Sequence, residues 1–146
     1  MTKEYYYTIY KFIFVICLIT GFSITNSKAQ CGPTANLCVK HLEGDFISDG
    51  QSYRALLLEG ELAEFNTTLF GGSQYRIAAC SGVDDGNLIF SIYDEERNLI
   101  FTNEEYANAP YWNFKVNSTI NCTIEAHLNS SSLVSGCAVI VIGFKN

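Results

Sequence analysis

The segment TINCTIEAHL, Thr119–Leu128, decides the fold class of this chain. From Ile120 onward every second residue is apolar or a cysteine, and the residues between them are polar. Successive side chains of a β-strand point to opposite faces, so this alternation predicts a half-buried strand with one face toward water. The face toward the core is expected to hold Ile120, Cys122, Ile124, Ala126 and Leu128.

Seven further segments read as short strands that are separated by Gly, Asp and Asn turns. The segment GCAVIVIGF at 136–144 is apolar on both faces, which is typical of a strand buried on both sides. Gly71-Gly72 predicts a hairpin turn, whereas Cys31 to Gly50 reads as a loop, a short strand and a turn. The other predicted strands cover 53–58, 61–70, 74–80, 88–94, 99–102 and 111–116.

Helical periodicity is weak throughout the part of the chain that follows residue 29. Seven or eight short strands with such turns predict an all-β protein, an antiparallel β-sandwich or a small barrel.

The first 29 residues have the order of a secretory signal peptide. Two lysines precede the apolar run FIFVICLITGFSI at 12–24, and Ser27-Lys28-Ala29 places small residues at the cleavage positions. This run is shorter than the roughly 20 apolar residues of a membrane-spanning helix. We therefore expect a signal peptide at 1–29 and one exported domain at 30–146, located in the periplasm, at the cell surface or outside the cell. An uncleaved membrane anchor is the alternative.

The predicted mature chain is acidic, with six Lys and Arg residues against fourteen Asp and Glu residues. A net charge of about −8 repels phosphate backbones and excludes nucleic acid as the favoured partner. Such a surface favours cations or basic partners instead.

Five cysteines follow the predicted cleavage site, in a compartment where disulfides persist. Three of these cysteines, Cys80, Cys122 and Cys137, lie on or beside apolar strands, so we favour them over Cys31 as disulfide partners. Cys38 completes the set of four disulfide candidates. Sequence alone does not give the connectivity. Cys31 is left free, paired, or lipidated at the start of a lipoprotein, which would place the protein on a membrane.

No catalytic constellation is present in the sequence. The chain has two histidines, His41 and His127, and His127 falls on the polar face of its predicted strand. We therefore predict a protein that is not an enzyme, with a hydrolase of unrecognised site as one alternative.

A binding module is the other alternative to a purely structural role. The acidic turns with Asp84, Asp85 and Asp94 offer oxygen ligands of the kind that calcium prefers, although no resident cofactor is expected. Tyr106 and Tyr111 lie near a loop and predict a small exposed platform for a carbohydrate, whereas alternation assigns Trp112 to the core. The expected partner is thus an unidentified protein or a glycan.

Two motifs between Tyr53 and Phe144 resemble the bacterial pre-peptidase C-terminal type of domain. The first is a G-x-x-Y-x-I strand at 72–77, and the second is a hairpin that runs from Ile89-Phe90-Ser91-Ile92-Tyr93-Asp94 to Leu99. The C-terminal G-C-x-x-x-x-I-G-F-K pattern at 136–145 is also similar to that of small secreted bacterial proteins.

The resemblance implies a jelly-roll-like sandwich without catalytic activity, of the kind usually attached to a secreted hydrolase. This chain carries no such enzyme domain, and its five cysteines are atypical of the family. Together with the residue patterns, the resemblance predicts an exported, non-catalytic β-sandwich with a binding or structural role.

Overall fold

The computed structural model describes residues 31–131 and 133–145. The predicted signal peptide at 1–29 and the predicted start at residue 30 lie outside these residues. The first element of the described residues is helix α1, Cys31–Val39, which a 3-10 turn, Lys40–Leu42, follows. A second 3-10 turn spans Asn103–Tyr106. The strands are β1 Ile47–Leu58, β2 Leu62–Leu69, β3 Gln74–Cys80, β4 Leu88–Tyr93, β5 Leu99–Thr102, β6 Tyr111–Lys115, β7 Ile120–Leu128 and β8 Ser135–Lys145.

Eight strands form two four-stranded antiparallel sheets, which confirms the predicted all-β sandwich. We call the sheet with the order β1-β8-β3-β6 sheet A and the sheet with the order β2-β7-β4-β5 sheet B. This order is that of a jelly roll, in which consecutive strands alternate between the two sheets except at the β4–β5 hairpin. Strand β1 therefore lies at one edge of sheet A and β2 lies at one edge of sheet B.

The Gly71-Gly72 turn does not form the predicted hairpin. It connects β2 in sheet B with β3 in sheet A, so the chain crosses between the sheets. Gly72 has φ of +88°, and a Cβ on Gly71 would lie 2.8 Å from the carbonyl oxygen of Asn117. The two glycines are thus required by a tight crossover, and glycine content alone could not distinguish that crossover from a hairpin.

The prediction of a loop and a short strand after Cys31 is wrong, because the segment forms α1. Pro33 lies in the first turn, where a missing N–H costs no intrahelical hydrogen bond. Residues at helical spacing, namely Cys31, Ala35, Cys38 and Leu42, form one buried face. This face packs on the outer surface of β8 and β3, against Val139 and Val141 among others.

The main core lies between the two sheets and contains the inward-facing residues of both. Phe90, Ile124 and Ile140 are fully buried there, as the alternation of β7 predicts for its own strand. Strand β8 is buried on both faces because α1 covers the side that the sandwich leaves open. This double coverage explains why GCAVIVIGF has no polar face.

Two disulfides connect α1 to sheet A, Cys31–Cys137 and Cys38–Cys80. Three of the four candidate cysteines are therefore bonded, but the preference for Cys122 over Cys31 is wrong. Cys122 is a buried free thiol on the core face of β7. A lipid thioether at Cys31 would need the sulfur that bonds Cys137, so the disulfide and lipidation exclude each other.

Candidate functional site

A large concave site lies at the sandwich edge where β1 and β2 face each other. Strand β1 departs there from its pairing with β8. Ser48 pairs with Gly143 and Ser52 pairs with Val141, so three residues of β1 oppose Ile142 alone. Bulges of this kind bend an edge strand and are common beside binding sites.

Local hydrogen bonds build the bulge. The Gly50 N–H donates to Ser48 Oγ at 3.1 Å, and the Gln51 N–H donates to Asp49 Oδ1 at 2.8 Å. Gly50 has φ of +81°, a conformation that glycine adopts without strain. The sequence Ser48-Asp49-Gly50-Gln51 thus specifies the deviation of β1 from the sheet.

Beside the bulge lies a cavity of about 630 Å³, which we call the edge groove. Its floor consists of buried or half-buried side chains from β2, β3 and β8, and its walls carry polar groups from β1 and β2. The floor residues are Leu69, Tyr75, Ile142 and Phe144, and the wall residues are Asp49, Gln51, Asn66, Thr67 and Thr68.

Three aromatic rings complete the apolar part of the edge groove. Tyr53 contacts the inward-facing Phe65 with ring centroids 5.7 Å apart. The Tyr75 hydroxyl accepts the Phe70 N–H at 2.9 Å, which fixes that ring against the β2–β3 connection. Phe70 itself is 62% exposed at the mouth of the groove. The site therefore combines an apolar floor with a polar rim, as ligand pockets commonly do.

The polar groups of the groove are almost all uncharged. Asp49 is the single charged side chain among the described residues that line it. The Asn66 amide oxygen accepts from Thr123 Oγ1 at 2.9 Å, which orients the amide. This contact places the Asn66 amide on the outer face of sheet B. Among the described residues, the Gln51 side chain has no hydrogen-bond partner, so it is available to a ligand in the groove.

The outer face of sheet B continues from the β2 wall as a polar surface. Thr68 Oγ1 donates to Asn121 Oδ1 at 2.7 Å, and Asn121 Nδ2 donates to Glu95 Oε1 at 2.8 Å. Further along, Arg97 bridges Glu64 and Glu125, and its hydrogen bond to Glu125 raises the pKa of the guanidinium. These cross-strand pairs hold β2 against β7 and so position the Asn66 and Thr68 wall.

Tyr106 and Tyr111 do not form one platform, because the structure places them in separate clusters. Tyr106 stacks on Trp112 and Phe101, with ring centroids 4.3 and 5.5 Å away. Tyr111 points to the opposite face of β6, where it contacts His41 and the Arg76 guanidinium. Binding of a sugar at either ring stays a prediction, and Trp112 packs against the core as predicted.

The candidate calcium residues also lie apart. Asp85 accepts a hydrogen bond from His41 Nε2 at 3.0 Å, beside Asp84 in the β3–β4 connection. Asp94 lies in the β4–β5 turn, where hydrogen bonds from the Asn98 side chain and backbone lower the pKa of its carboxyl. Within 31–131 and 133–145, no three His, Cys, Asp or Glu residues are grouped to hold a metal ion.

The two histidines and the free thiol lie in different surroundings. His41 pairs with Asp85 and His127 lies on the outer face of sheet B, as predicted from the alternation of β7. Burial raises the pKa of the Cys122 thiol to about 11, so it is protonated at neutral pH. A protonated, buried thiol is a poor nucleophile and acts as a core side chain.

Comparison with known proteins bears on the fold. No family model and no curated protein matches the sequence. A solved structure of Aeromonas hydrophila PliG, described as a periplasmic lysozyme inhibitor of g-type lysozyme, is similar to this chain with a TM-score of 0.50. The alignment covers 65% of this chain and 85% of that chain at 8% sequence identity, a likeness in fold. No helix in the described part of the chain is long and apolar enough to cross a membrane.

The residues of the edge groove were not predicted as a site from the sequence. The signal that could have found them is Gly50 within ISDGQSY, because a glycine inside a strand pattern often marks a bulge. The sequence pattern instead predicts a turn at Gly50, before the strand at 53–58. The wall residues Asn66 and Thr68 belong to an ordinary polar strand face, so nothing local distinguishes them.

Proposed function

We propose that this chain is an exported, non-catalytic binding protein whose ligand lies in the edge groove. The observation that carries the proposal is the cavity of about 630 Å³ with an apolar floor and a polar rim. Its volume falls within the range of about 300–1,000 Å³ that is typical of ligand pockets. The Gln51 amide and the inward-facing Thr67 hydroxyl supply the hydrogen-bonding groups that orient a ligand.

Export is supported by chemistry that does not depend on the groove. The two disulfides are of a kind that persists in oxidising compartments such as the periplasm or the cell exterior. The similar structure is of a protein described as periplasmic. The bond at Cys31 argues against a lipid anchor on that sulfur, so we place the protein free of a membrane after signal cleavage.

A thermal-shift screen of a small-fragment library tests the groove as the ligand site. The Gln51→Trp variant puts an indole on the groove wall, whereas Gln74→Trp makes the same change at an exposed strand residue outside the groove. We expect fragments that raise the melting temperature of the wild type to act equally on Gln74→Trp and to lose their effect on Gln51→Trp. Equal shifts in both variants would contradict the proposal.

A basic protein partner is the second candidate function. The predicted mature chain has a net charge of about −8, which favours association with a basic surface. The PliG protein is described as a lysozyme inhibitor, so this fold is used to bind a protein. Calorimetry with a g-type lysozyme at low and high salt tests this candidate, and binding that is absent at low salt would contradict it.

The other roles considered from the sequence remain proposals of lower rank. An accessory domain of the pre-peptidase C-terminal type would act beside a secreted hydrolase. A calcium-binding module would use the acidic turns, and an enzyme would use His41 or His127 as its base. An activity that His41→Ala or His127→Ala abolishes would support the enzyme.

A further inference from the structure

We infer that the ligand of the edge groove is a neutral oligosaccharide. This inference rests on the proposed function and adds the chemical class of the ligand. It follows from three properties of the groove: its charge, its hydrogen-bonding groups and its aromatic floor.

The charge of the groove disfavours anionic ligands. Asp49 is the single charged group among its described lining residues, and no Lys or Arg lines it. A phosphate, sulfate or carboxylate would meet a carboxylate without a compensating cation. Acidic sugars, nucleotides and fatty acids are therefore disfavoured.

The hydrogen-bonding groups of the groove match sugar hydroxyls. Gln51 offers an amide that both donates and accepts, and Thr67, which lies opposite Cys122 on the inward face of β2, adds a hydroxyl. A sugar hydroxyl also donates and accepts, so it pairs with either group in both directions.

The aromatic rings of the groove suit the apolar faces of a pyranose. Tyr53, Phe144 and the exposed Phe70 present ring surface beside the polar wall. A sugar ring has C–H groups on its faces and hydroxyls around its edge. It can therefore pack on these rings while its edge reaches Gln51 and Thr67.

Isothermal titration calorimetry with defined trisaccharides tests the inference. The neutral probes are cellotriose, maltotriose and chitotriose, and the acidic probe is trigalacturonate. We expect at least one neutral trisaccharide to bind with a dissociation constant below about 1 mM, and trigalacturonate to bind at least about tenfold more weakly.

Variants locate the binding. Gln51→Ala and Thr67→Ala are expected to weaken binding of the neutral trisaccharide about tenfold each. Asn117→Ala, at an exposed asparagine that does not line the groove, is expected to leave it unchanged.

The two levels of the proposal fail in different ways. If fragments bind in the groove but no neutral trisaccharide binds, or trigalacturonate binds best, the inference of a neutral oligosaccharide is refuted. The proposal that the groove is a ligand site is then still supported. If a neutral trisaccharide binds wild type and Gln51→Trp equally, the groove itself is refuted as its site.

Discussion

Loss of the Cys31–Cys137 disulfide should lower the free energy of unfolding more than any other change at a cysteine. The bond joins residues 106 apart, whereas Cys38–Cys80 joins residues 42 apart. In the chain-entropy relation these loops correspond to about 5 and about 4 kcal/mol at 25 °C. A domain of this size has a total stability of about 5–15 kcal/mol, so either loss is a large fraction of it.

Urea denaturation followed by circular dichroism measures these losses. The double variants Cys31→Ala/Cys137→Ala and Cys38→Ala/Cys80→Ala remove one bond each without leaving a thiol. The control Cys122→Ala removes a cysteine that has no bond, and it should cost only the packing of one small side chain, about 1 kcal/mol. A loss below about 1 kcal/mol for both double variants would refute the view that the disulfides hold α1 on sheet A.

Three further predictions concern groups outside the groove. Burial raises the pKa of the Cys122 thiol to about 11. At pH 8 this thiol should therefore react with Ellman's reagent at least about two hundredfold more slowly in the native protein than in urea. Equal rates would contradict the burial of the thiol. Asn103→Ala should cost about 3 kcal/mol in urea denaturation, since this buried amide accepts one backbone hydrogen bond and donates two, and a cost below about 1 kcal/mol would contradict that role. The pKa of Asp94 is lowered in the folded state, so the contribution of this carboxylate to stability is present above the unfolded-state pKa and is lost as the pH falls through the folded-state pKa. Asn98→Ala should raise the folded-state pKa of Asp94 in an NMR carboxyl titration. An unchanged pKa would show that Asn98 is not the cause of the lowering.

The strands could be predicted because their signals are local. Alternation placed β7 and the burial of Ile124 correctly, and the turn residues set each boundary to within a few residues, except at the start of β1. The order of the strands could not be predicted in the same way, because Gly71-Gly72 has the same local chemistry in a hairpin and in a crossover between sheets.

The helix and its disulfides depend on long-range contacts. The buried face of α1 consists of cysteines, alanine and threonine, which give little hydrophobic contrast with the rest of the helix. The partner of Cys31 lies 106 residues away on the outer face of sheet A. Because Cys122 shares the core face of its strand, the sequence favoured it, but that face points into the core between the sheets, and sheet A separates it from α1.

The candidate site was harder to predict than the fold. Tyr106 and Tyr111 are near each other in sequence. Tyr111 and Trp112 are adjacent in β6 and face opposite sides of the sheet, and Tyr106 packs against Trp112 rather than beside Tyr111. The edge groove is assembled from β1, β2, β3 and β8, and its opening depends on the bulge at Asp49–Gln51. Only the juxtaposition of two sheet edges brings these residues together.

Two-dimensional NMR of the ¹⁵N-labelled protein, titrated with the fragment library, tests the central claim most directly. The account predicts that the amide shifts caused by bound fragments cluster at Gln51, Tyr53, Asn66 and Phe144. Shifts that cluster instead around Trp112 and Tyr106, with none at the edge groove, would contradict it.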